Sequence, residues 1–231
     1  MKTEIKYAPK NLGEIIYPSD AVRRRIQGYM SGQLEGNILL HGWNGTAKST
    51  VANLLPYCIG GPNALVESDD FDEILSKKDL RGFIANSCSL AGLSGQGKYF
   101  LVFHEFDNAK VNLNKLWTTM DKYADQIMVI ITTNQPMNVH KSLRSRCDEI
   151  EFPPLRARQV LPRALKILAA ENVDLSEQQV LHYLTQIEHL GDMRKYCAKL
   201  DEIIYHFNTG GTFPPAPNVI LNQNKIKLSL V

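Results

Sequence analysis

Residues 41–50 have the sequence His41-Gly42-Trp43-Asn44-Gly45-Thr46-Ala47-Lys48-Ser49-Thr50. The apolar run Asn37-Ile38-Leu39-Leu40 precedes them, and a helical pattern over residues 50–55 follows. A strand, a glycine-containing loop and a helix that opens with Lys-Ser are, in this order, typical of a Walker A loop. In such a loop, backbone N–H groups and the helix dipole favour phosphate oxygens. The stretch therefore predicts a binding site for nucleotide phosphates.

Within this loop, we expect Lys48 to reach the β- and γ-phosphates of ATP and the Ser49 hydroxyl to ligate Mg²⁺. The other predicted nucleotide contacts come from the loop and the first helical turn: Gly42, Trp43, Asn44, Gly45, Thr46, Ala47 and Thr50. Ala47 departs from the motif, which has glycine at that position, and its methyl group is expected to crowd the loop. A chance glycine-containing turn before a helix is the alternative interpretation.

A second buried strand is predicted over residues 99–103, because five consecutive apolar residues are typical of a parallel strand covered on both faces. It runs into His104-Glu105, at the end of a strand where parallel sheets bind ligands. This is the expected place of a Walker B motif, and Glu105 fits the residue that positions the attacking water. His104 replaces the carboxylate that supports Mg²⁺, so we expect lower metal affinity or slower hydrolysis. A helix-capping role is the alternative for Glu105.

A third strand is predicted over residues 126–134, after a helix-like stretch at residues 112–123. If it neighbours the second strand, Asn134 at its polar end lies beside Glu105 and could hold the attacking water near the γ-phosphate. Taken alone, Asn134 fits a turn residue at the end of a strand better, and the two motifs described above favour the catalytic role.

Three other segments have recognisable patterns. They are Tyr7-Ala8-Pro9-Lys10-Asn11-Leu12-Gly13-Glu14-Ile15-Ile16, Ser145-Arg146-Cys147 and Gly191-Asp192-Met193-Arg194. Together with the loop and strands above, they resemble the AAA+ ATPases, and among these the clamp-loader subunits: replication factor C small subunits and phage clamp loaders. The resemblance spans roughly residues 5–200. It implies an α/β fold, a P-loop AAA+ parallel-sheet domain followed by a small helical lid domain.

The same resemblance implies roles for individual residues. The first segment packs on the adenine, through Tyr7, Pro9, Ile15 and Ile16. Asn134 takes the sensor 1 position, Arg146 reaches the ATP of an adjacent subunit, and Arg194 approaches the phosphates from the lid as sensor 2.

The chemistry of arginine suits the two arginine roles, because a guanidinium stays charged and offers a planar fork of donors to phosphate oxygens. An arginine supplied by a neighbour can raise the rate of phosphoryl transfer by ~10³-fold or more. Without this context, Arg146 is more typical of a surface ion pair, and Arg194 of a solvated helix face.

Composition excludes several classes of protein. The chain has 231 residues, a formal net charge of +2 and 44% hydrophobic residues, which is ordinary for a packed core and too weakly basic to indicate nucleic-acid binding by charge alone. No apolar run is long enough to span a membrane, and the N-terminus shows no signal sequence. The four cysteines are widely separated, which favours reduced thiols over a zinc site or disulfides. We expect a cytoplasmic protein, encoded by a phage or plasmid or by a cell.

The pattern of elements predicts three parts. Residues 1–155 alternate strands and helices, and prolines interrupt the pattern at the end of this part. Residues 156–208 show helical periodicity, with Ser176 as a helix N-cap, and residues 209–231 form a C-terminal tail. Clamp-loader subunits continue into a helical collar, and this tail is too short to supply one. Oligomerisation is therefore expected to rest on the ATPase modules, the tail or another protein.

Nucleic-acid contacts are predicted for basic residues that could neutralise phosphates without reading sequence: Lys77, Lys78, Arg81, Lys110 and Lys115. A solvated helix face explains any one of them equally well.

The sequence thus predicts an ATPase that assembles with adjacent AAA+ subunits on double-stranded or primer-template DNA and is released by hydrolysis. A sliding clamp or another replication protein is the expected partner. The alternative is a nucleotide-binding assembly protein with slow or no hydrolysis, acting in defence, transposition or helicase recruitment.

Overall fold

The computed structural model describes residues 2–70, 82, 85–86, 88–89, 98–106 and 114–213. Its centre is a sheet of five strands: β1 (Asn37–Gly42), β2 (Leu65–Asp70), β3 (Tyr99–His104), β4 (Ile127–Thr133) and β5 (Cys147–Phe152). The strand order is β2-β3-β4-β1-β5, and every neighbouring pair is parallel. The predicted α/β fold with a parallel sheet is confirmed.

Eight α-helices are described: α1 (Thr3–Lys6), α2 (Asp20–Met30), α3 (Lys48–Gly60), α4 (Asn114–Lys122), α5 (Lys141–Arg144), α6 (Ala157–Ala170), α7 (Glu177–Gln186) and α8 (Met193–Asn208). Short 3₁₀ turns occur at Leu12–Glu14, Pro136–Asn138 and Glu188–Leu190. Among the helices in the described ranges, none combines the length and the apolar character that crossing a bilayer requires.

The central strands are buried on both faces, which is why their sequences are continuously apolar. Successive side chains of a strand point to opposite faces, so each strand contributes to two cores. Ile38 and Leu40 of β1 pack in the core that also holds α2 and α3, whereas Leu39 packs in the core on the α4 side. The predicted strands at residues 37–40, 99–103 and 126–134 correspond to β1, β3 and β4.

The two edge strands were not singled out from the sequence. β2 has the sequence Leu-Val-Glu-Ser-Asp-Asp and β5 has Cys-Asp-Glu-Ile-Glu-Phe, so each carries several polar residues. An edge strand has only one neighbouring strand and is more exposed than a central one, so it does not need the continuous apolar run that marks β1, β3 and β4.

Helices α6, α7 and α8 surround a core of their own, and part of the N-terminal segment packs against it. Ser176 Oγ accepts a hydrogen bond from the N–H of Gln179, and Gln179 Oε1 accepts one from the N–H of Ser176, which confirms the predicted N-cap as a full capping box. Tyr196 of α8 is fully buried, and its hydroxyl donates to the Leu155 carbonyl at 3.0 Å. This bond ties the helical part to the segment that follows the sheet.

The turn after β1 requires glycine. Gly42 has φ +118°, and a Cβ atom there would lie 2.5 Å from the Phe152 carbonyl oxygen. The next N–H, from Trp43, donates to that same carbonyl at 2.9 Å. The close approach of β1 and β5 therefore fixes where the loop leaves the sheet.

We predict that Gly42→Ala lowers the free energy of unfolding by about 3 kcal/mol or more, because backbone strain and overpacking against Phe152 add together. Urea denaturation measures the change. Gly36→Ala is the matched control, since Gly36 also has positive φ but open space around it, and it should lose only about 1–2 kcal/mol. Equal losses for the two variants would contradict the steric argument.

Candidate functional site

A cleft of about 390 Å³ lies where the ends of β3 and β4 meet the loop after β1, the N-terminal segment and the helices α6 and α8. This volume is within the range of small-molecule sites. The residues that line it come from several separate segments of the chain: Glu4, Tyr7, Ala8, Pro9, Glu14, Ile16, Asn44, Gly45, Thr46, Ala47, Lys48, Ser49, Thr50, Glu105, Thr132, Thr133, Asn134, Leu155, Arg163, Ile167, Met193, Arg194 and Cys197. Most residues of the predicted nucleotide site thus share one cleft.

The loop at residues 43–47 wraps around the amine of Lys48. Lys48 is only 7% exposed, and its Nζ donates to the carbonyls of Gly42 at 3.0 Å and Trp43 at 2.6 Å. The Thr46 hydroxyl donates to the same Trp43 carbonyl at 2.7 Å. A cation is therefore held at the floor of the loop, next to the first turn of α3, where helix N–H groups and the helix dipole also attract anions.

Ala47 adopts the left-handed conformation that the motif normally assigns to glycine. Its φ is +71° and its ψ is +18°. An L-residue pays roughly 1–2 kcal/mol for this conformation. The loop thus keeps the backbone path of a phosphate-binding loop in spite of the alanine.

Glu105 enters the cleft through a second left-handed residue. Its φ is +49°, directly after the last residue of β3. The turn allows the side chain of Glu105 to line the cleft while Phe106 returns to the core, fully buried, with its N–H on the Thr132 carbonyl at 3.1 Å. Strained backbone of this kind is concentrated at functional sites.

His104 lies in a network of polar side chains at the ends of three strands and on α3. Its Nε2 is 3.0 Å from Asn53 Oδ1 and 3.2 Å from Ser68 Oγ, and its Nδ1 is 3.3 Å from Thr132 Oγ1. Ser68 in turn donates to Asn53 Oδ1 at 2.8 Å. An imidazole thus connects β2, β3 and β4 with the helix after the phosphate loop, at the place where the Walker B pattern has a carboxylate.

Asn134 follows β4 and lines the cleft together with Glu105. The strands β3 and β4 are hydrogen-bonded neighbours in parallel register. Two polar groups are therefore placed side by side at the carboxyl edge of the sheet, as the order of the strands requires.

The apolar end of the cleft is formed by the N-terminal segment, which is fastened to the helical part. Arg163 of α6 donates from Nη2 to the Tyr7 carbonyl at 2.6 Å, and the Tyr7 hydroxyl donates to Glu171 Oε1 at 2.7 Å. The hydrogen bond to Glu171 raises the pKa of Tyr7. Neither Arg163 nor Glu171 belongs to a recognisable motif, so this attachment could not be predicted from the sequence.

The phosphate loop also contacts the helical part directly. The Gly45 carbonyl accepts a hydrogen bond from the Met193 N–H at 3.0 Å, and the indole of Trp43 donates to the Leu190 carbonyl at 2.7 Å. A Cβ atom at Gly45 would lie 1.7 Å from Asp192 Oδ1. Glycine at this position therefore permits the close approach of the loop and the start of α8.

Arg194 lines the cleft and is paired with Asp192. Its Nη2 is 2.9 Å from Asp192 Oδ2, and its Nε is 3.2 Å from both carboxylate oxygens. This pairing raises the pKa of Arg194, which therefore stays charged. The carboxylate also accepts the Arg194 N–H at 2.8 Å, as the N-cap of α8.

Arg146 does not line the cleft of its own chain. It lies between α5 and β5, bound to Asp121 of α4. Burial raises the pKa of the following thiol, Cys147, to about 12, so Cys147 is uncharged near neutral pH and acts as a packing residue. A role for Arg146 at a nucleotide thus requires a nucleotide on another chain.

The remaining predicted residues are placed as follows. Gly42 and Trp43 shape the loop but do not line the cleft, and Ile15 is 7% exposed in the core on the α2 side. Lys77, Lys78, Arg81 and Lys110 lie outside the described residues, as do residues 214–231 of the tail. Lys115 lies on α4, and its side chain is not described.

The cleft fits ATP by its chemistry. Its cationic groups are Lys48, Arg163, Arg194 and the N-terminus of α3, and its apolar groups come from residues such as Ile16, Ile167 and Met193. Two residues that line the cleft, Ser49 and Glu105, have side-chain oxygens placed by the motifs to serve Mg²⁺. The described residues contain no cluster of three His, Cys, Asp or Glu side chains that could hold a metal ion by themselves. Mg²⁺ commonly relies on substrate phosphates and water for most of its ligands, so these donors are compatible with it.

Comparisons with known proteins agree with this arrangement. The model of the family described as ATPase family associated with various cellular activities (AAA) matches residues 38–155. The replication factor C small subunit of Methanococcus vannielii is 26% identical over 199 residues, which cover 82% of this chain and 60% of that protein. The sliding-clamp-loader large subunit of Enterobacteria phage T4 is 28% identical over 209 residues, which cover 86% of this chain and 63% of that protein.

A similar fold is found in the solved structure of the Thermotoga maritima RuvB Holliday junction branch migration motor. The TM-score is 0.65 at 16% identity, over 87% of this chain and 66% of that chain. This likeness shows the fold alone. The chain spans about 60% of the length of the curated relatives it matches.

We predict that Arg163→Ala weakens ATP binding about tenfold, because a hydrogen bond from a charged donor is worth roughly 1.5–3 kcal/mol. The variant removes the bond from Arg163 to the Tyr7 carbonyl, which loosens the Tyr7 segment, and it also removes a cation from the cleft; both effects act in the same direction. Titration with a fluorescent ATP analogue measures the affinity. Lys166→Ala, an exposed cation on the same helix, is the control and should bind normally; equal affinity of Arg163→Ala and the parent would contradict the assignment.

Proposed function

We propose a function from one premise, that this chain belongs to the AAA family of ATPases. We infer that it binds and hydrolyses ATP with Mg²⁺ and acts on DNA in a replication assembly, as a sliding-clamp-loader subunit does. The observation that carries the proposal is the single cleft that joins the phosphate loop, the ends of β3 and β4, the N-terminal segment and Arg194.

Each residue in the cleft has a proposed task. Lys48 and the N–H groups of the loop and of α3 bind the phosphates, Ser49 contributes a hydroxyl to Mg²⁺, and Mg²⁺ neutralises charge on the phosphate oxygens. Glu105 accepts a hydrogen bond from the attacking water, and Asn134 holds that water in line with the γ-phosphate. Arg194 offers a fixed positive charge from the helical part.

Hydrolysis is proposed to need two chains. Arg146 lies outside its own cleft, and a guanidinium from a neighbour can neutralise the charge that spreads over the γ-phosphate. ATP would then hold adjacent subunits together, and hydrolysis would release them from DNA. The similarity to replication factor C and to the phage T4 clamp loader supports this proposal, and a sliding clamp is the partner it suggests.

The proposed division of the chain follows the cores. Residues 1–155 hold the nucleotide-binding sheet, residues 156–208 form the lid, and residues 209–231 follow as a tail. Contacts to duplex or primer-template DNA are proposed for Lys77, Lys78, Arg81, Lys110 and Lys115.

A second candidate function is favoured by His104. The imidazole is hydrogen-bonded to Asn53 and near Thr132 at the place of the Walker B carboxylate, so support for Mg²⁺ is weaker than in the usual motif. The candidate is a regulatory AAA+ protein that assembles on ATP and hydrolyses it slowly. Stimulation of hydrolysis by DNA favours the clamp-loader role, whereas ATP-dependent assembly without stimulation favours the regulatory role.

We predict that Glu105→Gln abolishes most ATP hydrolysis, with and without primer-template DNA, while ATP remains bound. The amide keeps the shape of the side chain but cannot accept a proton from water. Phosphate release measures the rate, and a filter assay measures bound ATP. Glu177→Gln, the same change on an exposed residue of α7, should leave both unchanged; normal hydrolysis by Glu105→Gln would remove Glu105 from the mechanism.

We predict that Arg146→Ala loses hydrolysis and keeps ATP binding, and that added Glu105→Gln subunits restore its hydrolysis. The Arg146→Ala subunit has an intact cleft but no arginine to offer its neighbour. The Glu105→Gln subunit offers its Arg146 to the neighbour but cannot hydrolyse ATP itself. Steady-state phosphate release of the two variants, separately and mixed, measures the effect. If mixing restores nothing, Arg146 does not act across a subunit boundary.

A further inference from the structure

The guanidinium of Arg146 is held by three hydrogen bonds within its own chain. Nε donates to Asp121 Oδ1 at 2.7 Å and Nη2 donates to Asp121 Oδ2 at 2.8 Å, so the carboxylate grips one edge of the fork. Nη1 donates to the Ser142 carbonyl at 2.7 Å. The side chain is therefore fixed from two elements, α4 and α5.

These bonds use three of the five N–H groups that a guanidinium has. Within the described part of the chain, one N–H remains on each terminal nitrogen of Arg146. N–H groups on the two terminal nitrogens of a guanidinium are suited to the oxygens of a phosphate. Arg146 can thus bind a phosphate from outside without giving up Asp121.

The element that carries Asp121 is itself fastened to the segment before Arg146. The rings of Trp117 on α4 and His140 stack with centroids 5.0 Å apart. Leu116 of α4 and Leu143 of α5 are buried in the same core. The backbone that carries Asp121 is thus held near that of Arg146, while the Asp121 side chain itself is 53% exposed. The hydrogen bonds from Arg146 lower the pKa of Asp121, so it is ionised at neutral pH.

We propose that Asp121 is a positioning residue for hydrolysis on the neighbouring subunit, because it holds Arg146 in the direction in which its two remaining N–H groups meet that subunit's γ-phosphate. The inference rests on the proposed function, in which Arg146 acts in trans. Ordering a long side chain costs entropy. The bonds to Asp121 order the Arg146 side chain before the subunits associate, so this entropy is not lost during association. Asp121 touches neither nucleotide nor water in this scheme and acts only through Arg146.

The test uses two kinds of subunit: a lender, which supplies Arg146 to its neighbour, and a receiver, whose own cleft hydrolyses ATP. Arg146→Ala subunits serve as the receiver, with an intact cleft. Three lenders are added in excess: Glu105→Gln alone, Glu105→Gln with Asp121→Asn, and Glu105→Gln with Asp125→Asn. Asp125 is the matched control, because it is an exposed aspartate four residues further on with no hydrogen bond or ion pair described. Since the lenders cannot hydrolyse ATP, every phosphate released reports on the lent arginine.

We predict that the Asp121→Asn lender restores a kcat about tenfold lower than the other two lenders, because a misplaced catalytic group loses much of its effect. KM for ATP should not change, since the receiving cleft is the same in all mixtures. A fourth lender with Asp121→Glu, which keeps the carboxylate, should recover most of the lost rate. Sedimentation with ATP should show that all lenders join the receiver equally.

The outcomes are distinct. Equal kcat for the Asp121→Asn and Asp125→Asn lenders would overturn the positioning role while leaving Arg146 in trans. Reduced joining of the Asp121→Asn lender would also overturn it and make Asp121 an assembly residue. Failure of the Glu105→Gln lender itself to restore hydrolysis would refute the proposed function, and the inference with it.

Discussion

The contact between Gly45 and Asp192 is the constraint on which the architecture of the cleft depends. The two residues are far apart in sequence, and glycine is needed where the carboxylate meets the loop. The Gly45 carbonyl is also bonded to the Met193 N–H at 3.0 Å. A loop that holds phosphates and a helix that carries Arg194 are thereby joined at one point, so a displacement of either element is transmitted to the other.

The strands that could be predicted from the sequence are those that are buried on both faces. β1, β3 and β4 are covered on both faces, and their apolar runs show it, whereas the polar edge strands β2 and β5 gave no comparable pattern. The helices at residues 157–208 were predictable because each buries one side, and because α7 begins at a recognisable N-cap, Ser176. Ile15 illustrates a limit: an apolar residue beside a cleft can equally belong to the core, and only the coordinates place it there.

The motif residues of the site were predictable because backbone geometry leaves few choices. Lys48 and Glu105 belong to local patterns of a few residues, whereas the left-handed backbone at Ala47 and Glu105 was seen only in the structure. Their partners were not predictable. Arg163, Asp121 and Asn53 act through contacts between distant elements, and nothing in their local sequence distinguishes them from ordinary helix residues.

An ion pair with a carboxylate does not by itself show that an arginine is functional, because three arginines of this chain have the same kind of pair. Arg144 presents Nε and Nη2 to Glu149, Arg194 presents them to Asp192, and Arg146 presents them to Asp121. The geometry of the fork is therefore a general solution for holding an arginine on a surface. What separates the three is place: Arg194 lines the cleft, whereas Arg144 and Arg146 do not.

Between these last two, the difference is the origin of the partner. Arg144 and Glu149 lie five residues apart in the chain, so their pair stabilises only the local path from α5 into β5. Asp121 and Arg146 lie 25 residues apart, on α4 and on the turn between α5 and β5. Their pair therefore joins two segments that are distant in the chain, and it limits how far the Arg146 side chain can move relative to α4. In the proposed function Arg146 must meet a phosphate on another molecule, and a partner on a distant segment restricts the direction of its guanidinium more than a partner on the same segment does.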